Sequence, residues 1–283
     1  MFRRRQSIQY KSDAQFRKMR TAGLVVAEVH QAMRESAGPG VSTAELDRIA
    51  EQVIRDRGAV PSFKGYDIGF GPYPASICSS VNEQVVHAIP TADAVLKEGD
   101  LLSVDVGAIV DGWHGDAAIT IEVGEVAPEL TALREACEAS MWAGIRAAAT
   151  AKRLGGISHA IERSVEDSGE AHALDYGIVT GFGGHGIGTE MHQDPHILNY
   201  GRPTEGPKLR TGMALAIEPM ITLGSEETTE LSDGWTIVTE DGSIAAHVEH
   251  TIALCEDGIW VLTAPDGGVE QLGDAVASAA RAE

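Results

Sequence analysis

The chain has little cysteine: Cys78, Cys137 and Cys255 are its only three, far apart and in no C-x-x-C spacing. An odd, scattered set excludes a disulfide framework, so reduced thiols and a cytoplasmic setting are expected. Long apolar runs are missing too. No stretch approaches the ~18 uninterrupted apolar residues of a membrane span, so no membrane partner is expected. Arg3-Arg4-Arg5 opens the chain like the basic start of a signal peptide. Gln9-Tyr10-Lys11-Ser12-Asp13 stands where the apolar core of such a signal belongs, which argues against export. Positive charge is scarce, with 22 Lys and Arg against 42 Asp and Glu and a net charge of −20. The extended basic stripe of a nucleic-acid grip is therefore lacking, and no sequence-specific nucleic-acid partner is expected. Acidity of this kind serves solubility. If four carboxylates held two divalent cations, the effective charge would become about −16. The arginines at 3 to 5 leave open a contact with an acidic partner at the ribosome surface.

What is present is enough apolar residue, 43% of 283, for one large domain. Ser12-x-x-Gln15 is a capping box that starts a helix running to about Ala37, and Gly38-Pro39-Gly40 stops it. Ser42-x-x-Glu45 starts a second, ending at Gly58. Residues 63–74 are a Gly-, Pro- and aromatic-rich loop, followed by strand signals at Ser76–Val81 and Val85–Ala88. Leu101–Ile109 and His114–Val123 read as a hairpin about Asp111-Gly112. A helix runs from Pro128 to about Arg153, where Gly155-Gly156 ends it, and Ser158 starts a shorter one reaching Gly169. Beyond Tyr176 the pattern is strand and loop, with strands at Ala214–Ile221, Trp235–Val238, Ala246–Leu254 and Trp260–Leu262. Residues 1–12 read as an N-terminal arm, 13–263 as one α+β domain with a mainly antiparallel sheet, and 264–283 as a tail outside the core.

Acids are poor strand residues and costly in a core unless paired or metal-bound. Asp105 lies in the apolar run Leu101-Leu102-Ser103-Val104-Asp105-Val106, and Asp116 lies on the partner strand. With Asp111 and Gly112 at the turn, residue 110 faces 113, so Asp105 falls opposite Ala118, two residues from Asp116. Period-two alternation puts both carboxylates on one face, with Cα atoms roughly 7–8 Å apart. Such a pair can converge on cations about 3.5–4 Å apart, or one acid can cap an amide while the other meets solvent. Glu218 in Ala214-Leu215-Ala216-Ile217-Glu218-Pro219 and Glu249 in Ala246-His247-Val248-Glu249-His250 repeat the anomaly, and Pro219 suggests a bend or an edge.

Gly181-Phe182-Gly183-Gly184-His185-Gly186-Ile187-Gly188 lacks the Lys-Ser/Thr of a phosphate-binding loop. His185, His192 and His196 fall within twelve residues. Pro195 excludes a helical zinc motif from His192 and His196, and His196 reads as structural. The glycines around His185 imply close backbone packing that pins its ring.

Taken in order, Tyr73-Pro74-Ala75-Ser76-Ile77-Cys78, Val86-His87-x-Ile89-Pro90, Val104-Asp105-Val106-Gly107, Gly115-Asp116, Gly183-Gly184-His185-Gly186-Ile187-Gly188, Met191-His192-x-Asp194-Pro195, Ile217-Glu218-Pro219-Met220 and Glu249-His250-Thr251 resemble the type I methionine aminopeptidases. The likeness spans about residues 13–262. It implies the pita-bread fold, two pseudo-symmetric halves with a mainly antiparallel sheet flanked by helices. It implies two divalent cations, of Co, Mn, Fe, Zn or Ni, held by Asp105, Asp116, His185, Glu218 and Glu249. In this family Asp105 would chelate one ion, Asp116 and Glu249 would bridge both, and His185 and Glu218 would complete the other. A bridging hydroxide would attack the first peptide carbonyl, with Glu218 shuttling the proton. His192 would contact the scissile amide, and His87 would lie near the leaving nitrogen. Tyr73, Cys78 and Trp235 would line the methionine pocket, where a thiol and aromatic rings suit a thioether. The implied activity is removal of the initiator methionine from nascent chains with a small second residue, by a monomer.

Xaa-Pro aminopeptidases and dipeptidases share the five ligands but carry a large extra N-terminal domain, and about a dozen residues precede the first helix here. Non-catalytic pita-bread binding proteins lack parts of the cage. Methionine removal is therefore expected over both. Two departures stand out. The 64–73 segment is longer than the family's Gly-Tyr-x-Gly-Tyr-Pro, which leaves the alignment of Phe70 and Tyr73 open, and His247-Val248 replaces the usual Gln-Phe.

Overall fold

Asp111 and Gly112 both take positive φ, 50° and 77°, as a two-residue hairpin turn requires. They join β4 (Leu101–Val110) to β5 (Trp113–Glu122), the longest strands of a computed structural model that describes residues 7–67, 69 and 71–282. Arg3, Arg4, Arg5 and Phe70 lie outside the described residues.

Ahead of this hairpin come α1 (Asp13–Ser36), α2 (Thr43–Asp56), β1 (Val60–Pro61), β2 (Ile77–Val81) and β3 (Gln84–Val86). The Ser12 amide donates to Gln15 Oε1 at 2.9 Å, and Ser42 Oγ accepts from the Glu45 amide at 3.3 Å, so both helices start where their caps predict. After the hairpin come α3 (Pro128–Ala148) and α4 (Gly155–His172). The expected break at Gly155-Gly156 is instead the first turn of α4. A Cβ on Gly155 would lie 2.2 Å from the Arg202 carbonyl oxygen, so this glycine serves a close approach rather than a helix stop.

The second half holds β6 (Gly177–Ile178), β7 (Gly184–Gly186), β8 (Gln193–Ile197), β9 (Ala214–Ile217) and β10 (Met220–Thr222). It continues with β11 (Thr228–Glu230), β12 (Ile237–Thr239), β13 (Ala245–His247), β14 (Glu249–Leu254) and β15 (Ile259–Val261). Among the described residues one sheet has nine strands in the order β1-β4-β5-β14-β9-β7-β8, with β2 on β4 and β15 on β14, and its pairings are antiparallel. Two expected strands are split. Residues 214–221 break at Glu218-Pro219 and 246–254 break at Val248, and beyond the breaks β10 and β13 pair in a separate three-stranded sheet. His185, expected in a loop, sits on β7 opposite Ala216.

Alternation decides which side chains meet helices. Leu102, Val104, Val106 and Ala108 of β4, with Ala117, Ile119 and Ile121 of β5, share a core with the apolar faces of α1 and α2. The residues between them, Asp105 and Asp116 included, point the other way. α3 and α4 pack in the same manner against the second half, where β9 and β14 contribute Leu215, Ile217 and Ile252.

Helix α1 and β5 come into backbone contact at Gly23 and Gly115: a Cβ on Gly115 would stand 2.6 Å from the Gly23 amide nitrogen. The segment from Ala264 is part of the core rather than a tail. Leu272, Val276, Ala277 and Ala280 are buried in the second-half cluster. The buried Arg20 guanidinium donates to the carbonyls of Leu262, Ala264 and Pro265 at 2.9, 2.5 and 2.9 Å. The described part of the arm is also packed, with Lys11 buried and its amide bonded to the Gly212 carbonyl at 2.7 Å. Small apolar and polar composition hid these contacts, because the buried positions are mostly alanine and valine.

Gly115→Ala should lower stability by about 1–3 kcal/mol, the usual cost of overpacking, since a helix backbone must retreat from the strand that carries Asp116. Chemical denaturation measures this, and an unchanged midpoint would contradict the docking described.

Candidate metal centre

Strand register places the acids before any side-chain argument is needed. Cys78, Asp105, Ala118 and Glu249 form one row across β2, β4, β5 and β14. Asp105 and Glu249 thus flank Ala118, whose methyl group leaves space between them, and Asp116 is its same-face neighbour on β5. The β9–β14 pairing (Ile217 with His250) and the β10–β13 pairing (Met220 with His247) share one register. Carried through the break, it sets Glu218 opposite Glu249. Like charges facing each other across a strand pair are unfavourable, and these two stand where both strands pass from one sheet to the other.

The side chains converge on a cavity of about 110 Å³. His185 Nε2 lies 3.4 Å from Glu218 Oε1 and 3.9 Å from Asp116 Oδ2. His185 Nδ1 is 3.1 Å from the Gly186 carbonyl oxygen. A carbonyl only accepts, so Nδ1 carries the proton and Nε2 presents its lone pair to the cavity. Asp116 is held by its backbone: Thr251 Oγ1 donates to the Asp116 carbonyl at 2.7 Å and accepts its amide at 3.2 Å.

Buried Asp105 Oδ1, Asp116 Oδ1 and Glu249 Oε1 have no hydrogen-bond partner among the described residues. Among the described residues neither lysine nor arginine lines the cavity. Burial raises the Asp105 carboxyl to about 7, with Glu218 adding to the shift and His247 opposing it. Burial and mutual repulsion hold Asp116 and Glu249 well above the ordinary carboxylate range, and burial does the same for Glu218. Acids in this state need protons or a cation, and orphaned oxygens beside an imidazole lone pair are the donor set of a hard or borderline divalent ion. Asp116, His185 and Glu249 offer ligand atoms all within 4.8 Å of one another, and so do Glu218, His247 and Glu249. Small rotamer shifts would bring either trio to a single ion. The residues fit divalent metal.

The structure brings all ten residues expected from the sequence, His87, His192, Tyr73, Cys78 and Trp235 beside the four acids and His185, to the lining of this one cavity. His196 is exposed and is not part of the lining. His87 adopts φ 61°, an uncommon conformation for a non-glycine residue, and packs edge-on to Phe182. Burial lowers its pKa to about 4, so the ring is neutral at pH 7. His192 opens to solvent at the mouth, with its ring 4.5 Å from that of His185. The Tyr73 hydroxyl donates to the carbonyls of Ile77 and Ala88 at 3.1 and 3.0 Å, and its ring meets Trp235 edge-on at 5.1 Å. Burial, with Asp105 nearby, holds the Cys78 thiol well above its ordinary pKa, so it serves as a small unreactive wall.

Tyr66, Phe63 and Met191 also line the cavity and were not singled out from the sequence. The Tyr66 hydroxyl lies 2.7 Å from His192 Nδ1. The Gly65 amide donates to the Tyr73 carbonyl and the Tyr73 amide donates to the Tyr66 carbonyl, each at 2.8 Å. The loop is therefore closed at its base and the additional residues lie between its two tyrosines. Gly65-Tyr66, read as the start of the family's Gly-Tyr segment with the extra residues after it, was the signal that would have found Tyr66.

The profile of metallopeptidase family M24 matches residues 17–256. Methionine aminopeptidase 1 of Mycobacterium tuberculosis is 49% identical over 261 residues, which cover 92% of this chain and 97% of that protein. Methionine aminopeptidase 1 of Bacillus subtilis is 47% identical over 245 residues, 87% of this chain and 94% of that protein. The crystal structure of methionine aminopeptidase from Thermotoga maritima superposes with a TM-score of 0.85 at 40% identity, covering 91% of this chain and 99% of that one. Prolidase from Pyrococcus furiosus shares the fold at TM-score 0.70 and 19% identity, covering 90% of this chain and 65% of that one.

The raised carboxyl pKa values set a sign for pH dependence. Without metal, the folded chain keeps protons that the unfolded chain releases above about pH 4, so these groups take stability away as pH rises toward 7. Metal ligands must be deprotonated, and metal should reverse the loss. In thermal melts, added divalent metal should raise the Tm of chelator-treated protein more near pH 7.5 than near pH 5.5. An equal or larger rise at the lower pH would argue against the site.

Proposed function

The chain belongs to metallopeptidase family M24, and from that membership we propose that it removes the N-terminal methionine from nascent polypeptides whose second residue is small. The single observation that carries the reading is the cage of orphaned acids beside an apolar pocket, in a chain close in length and 49% identical to a methionine aminopeptidase. The fold is the pita-bread fold, and the enzyme is a divalent-metal-dependent aminopeptidase.

Asp105, Asp116, His185, Glu218 and Glu249 hold the metal in this reading. Two divalent cations, when bound, supply a water activated near neutral pH and polarise the scissile carbonyl. Glu218, whose pKa burial raises, would hold a proton on its carboxylate and pass it to the departing amine. His192, oriented through the Tyr66 hydroxyl, donates to the carbonyl oxygen as charge develops there. His87, neutral and fixed by Phe182, stands beside the leaving nitrogen. Tyr73, Cys78 and Trp235, with Phe63 and Met191 in the same apolar cluster, receive the methionine side chain. Unbranched and polarisable, a thioether suits a wall formed by two rings that meet edge-on.

Work in the cytoplasm, at the ribosome surface and as a monomer belongs to the same proposal. Three unpaired thiols support the cytoplasm. Among the described residues no helix is long and apolar enough to cross a membrane. A fold shared with prolidase at 19% identity says nothing of substrate, so Xaa-Pro cleavage is the alternative to be tested.

Met-Ala-Ser should be hydrolysed after Co(II), Mn(II) or Fe(II) is restored to chelated enzyme, and Xaa-Pro peptides should not. Activity that survives thorough chelation, or a preference for Xaa-Pro, would overturn the reading. His192→Ala should lower kcat about 10²-fold, as loss of one oxyanion donor does. Tyr66→Phe should cost about 3- to 10-fold, the value of one positioning hydrogen bond. Steady-state kinetics separate the two, and equal losses would contradict the indirect role of Tyr66.

A further inference from the structure

His247 is the lining imidazole that neither the metal set nor the catalytic set above uses. It sits on β13 two residues before Glu249 and is 2% exposed. Its backbone is fixed from the first half: the amide donates to Ser103 Oγ and Thr120 Oγ1, each at 3.2 Å, and its carbonyl accepts from Thr120 Oγ1 at 2.8 Å. The same hairpin therefore holds Asp105, Asp116 and His247 in one frame. Its Nε2 is buried without a hydrogen-bond partner and lies 3.6 Å from Glu218 Oε2, too long for a hydrogen bond. Glu218 presents its other oxygen, Oε1, to His185 at 3.4 Å, so one carboxylate stands between two imidazoles.

The two trios of ligand atoms, Asp116-His185-Glu249 and Glu218-His247-Glu249, have only Glu249 in common. Each contains one imidazole. We propose that His247 is a nitrogen ligand of the metal centre, closing with Glu218 and Glu249 on a cation and adding to the five residues assigned above, Asp105 among them. An unpartnered buried nitrogen is thereby satisfied. A second imidazole also makes the donor set softer than one histidine among carboxylates. Selectivity then moves from Mn(II) toward Co(II), Fe(II) and the other borderline ions. The inference rests on the metal-centre reading of the proposed function.

Co(II) alone is the probe, in the full-length protein stripped of metal. A ligating imidazole bound through one nitrogen keeps a proton on the other, and Co(II) shifts that exchangeable proton far outside the diamagnetic ¹H NMR range. With two equivalents of Co(II), wild type should show two such imidazole resonances, from His185 and His247. His247→Gln and His247→Asn should each show one. Chelator competition should find the weaker Co(II) equivalent bound at least about tenfold less tightly in these variants, with a smaller change for Mn(II). A single shifted imidazole in wild type, two in either variant, or unchanged Co(II) affinity would overturn the assignment. The wild-type count stands without any variant, so a substitution that fails to fold leaves the proposal exposed to that result. Absence of any Co(II) binding sinks the metal-centre reading as well, whereas binding with one imidazole sinks only the role of His247.

Discussion

Four carboxylates converge on a cavity that, among the described residues, neither lysine nor arginine lines, and the arrangement of the site follows from that repulsion. Left to themselves they are held partly protonated by burial and by one another, which is why Asp105, Asp116, Glu218 and Glu249 all shift in the same direction. A polypeptide avoids such a cluster unless a cation neutralises it. The acidic balance of the whole chain is compatible with this, because the carboxylates that matter most are the ones metal would neutralise.

Holding the cluster in place is a task for backbone rather than for side-chain partners. The row Cys78, Asp105, Ala118, Glu249 and the opposition of Glu218 to Glu249 are consequences of strand register, which shifts only if many backbone hydrogen bonds break together. Small residues complete the arrangement. Ala118 leaves room between two acids, and Gly23 and Gly115 let α1 press directly on the strand that carries Asp116. Thr251 holds the backbone of Asp116 with one hydroxyl acting as both donor and acceptor. None of these contacts uses a carboxylate oxygen, and Asp105 Oδ1, Asp116 Oδ1 and Glu249 Oε1 have no hydrogen-bond partner among the described residues.

How much of this was legible depends on whether the determining interaction is local. The Asp111-Gly112 turn fixes a register by itself, so the pairing of Asp105 with Ala118 could be counted from the sequence and is the pairing found. Glu218 and Glu249 were conspicuous as charges in apolar strands, but their opposition spans some thirty residues of intervening chain. No periodicity announces such a contact. His185 sits on a strand of three residues, Gly-His-Gly, whose glycines suggest a loop and are there because the neighbouring backbones come close: a Cβ on Gly184 would lie 2.2 Å from the Ala216 carbonyl oxygen. The segment beyond Ala264 was misjudged for the opposite reason. Its residues are too small to look like a core, yet Arg20 gathers its carbonyls and Ala277 is fully buried.

The lengthened 64–73 segment shows how the fold separates chemistry from recognition. The proposed metal ligands stand on strands of the large sheet or at its break, where position is set by register. The residues proposed to meet the substrate, Cys78 on β2 excepted, stand on loops, where position is set by a few hydrogen bonds. Gly65 and Tyr66 tie to Tyr73 at the base of the loop, and Asp67 Oδ1 accepts the amides of Gly69 and Gly71 at 2.7 and 3.2 Å. Residues can therefore be added between the tyrosines while Tyr66 keeps its hydroxyl on His192 and Tyr73 keeps its ring on Trp235. Asp233 does for Trp235 what Asp67 does for the loop, accepting the amides of Trp235 and Thr236 at 2.9 and 2.8 Å. Insertion at such a loop costs little stability, since loop-closure entropy grows slowly with length. A pocket edge built this way can change in shape without disturbing the register that holds the acids.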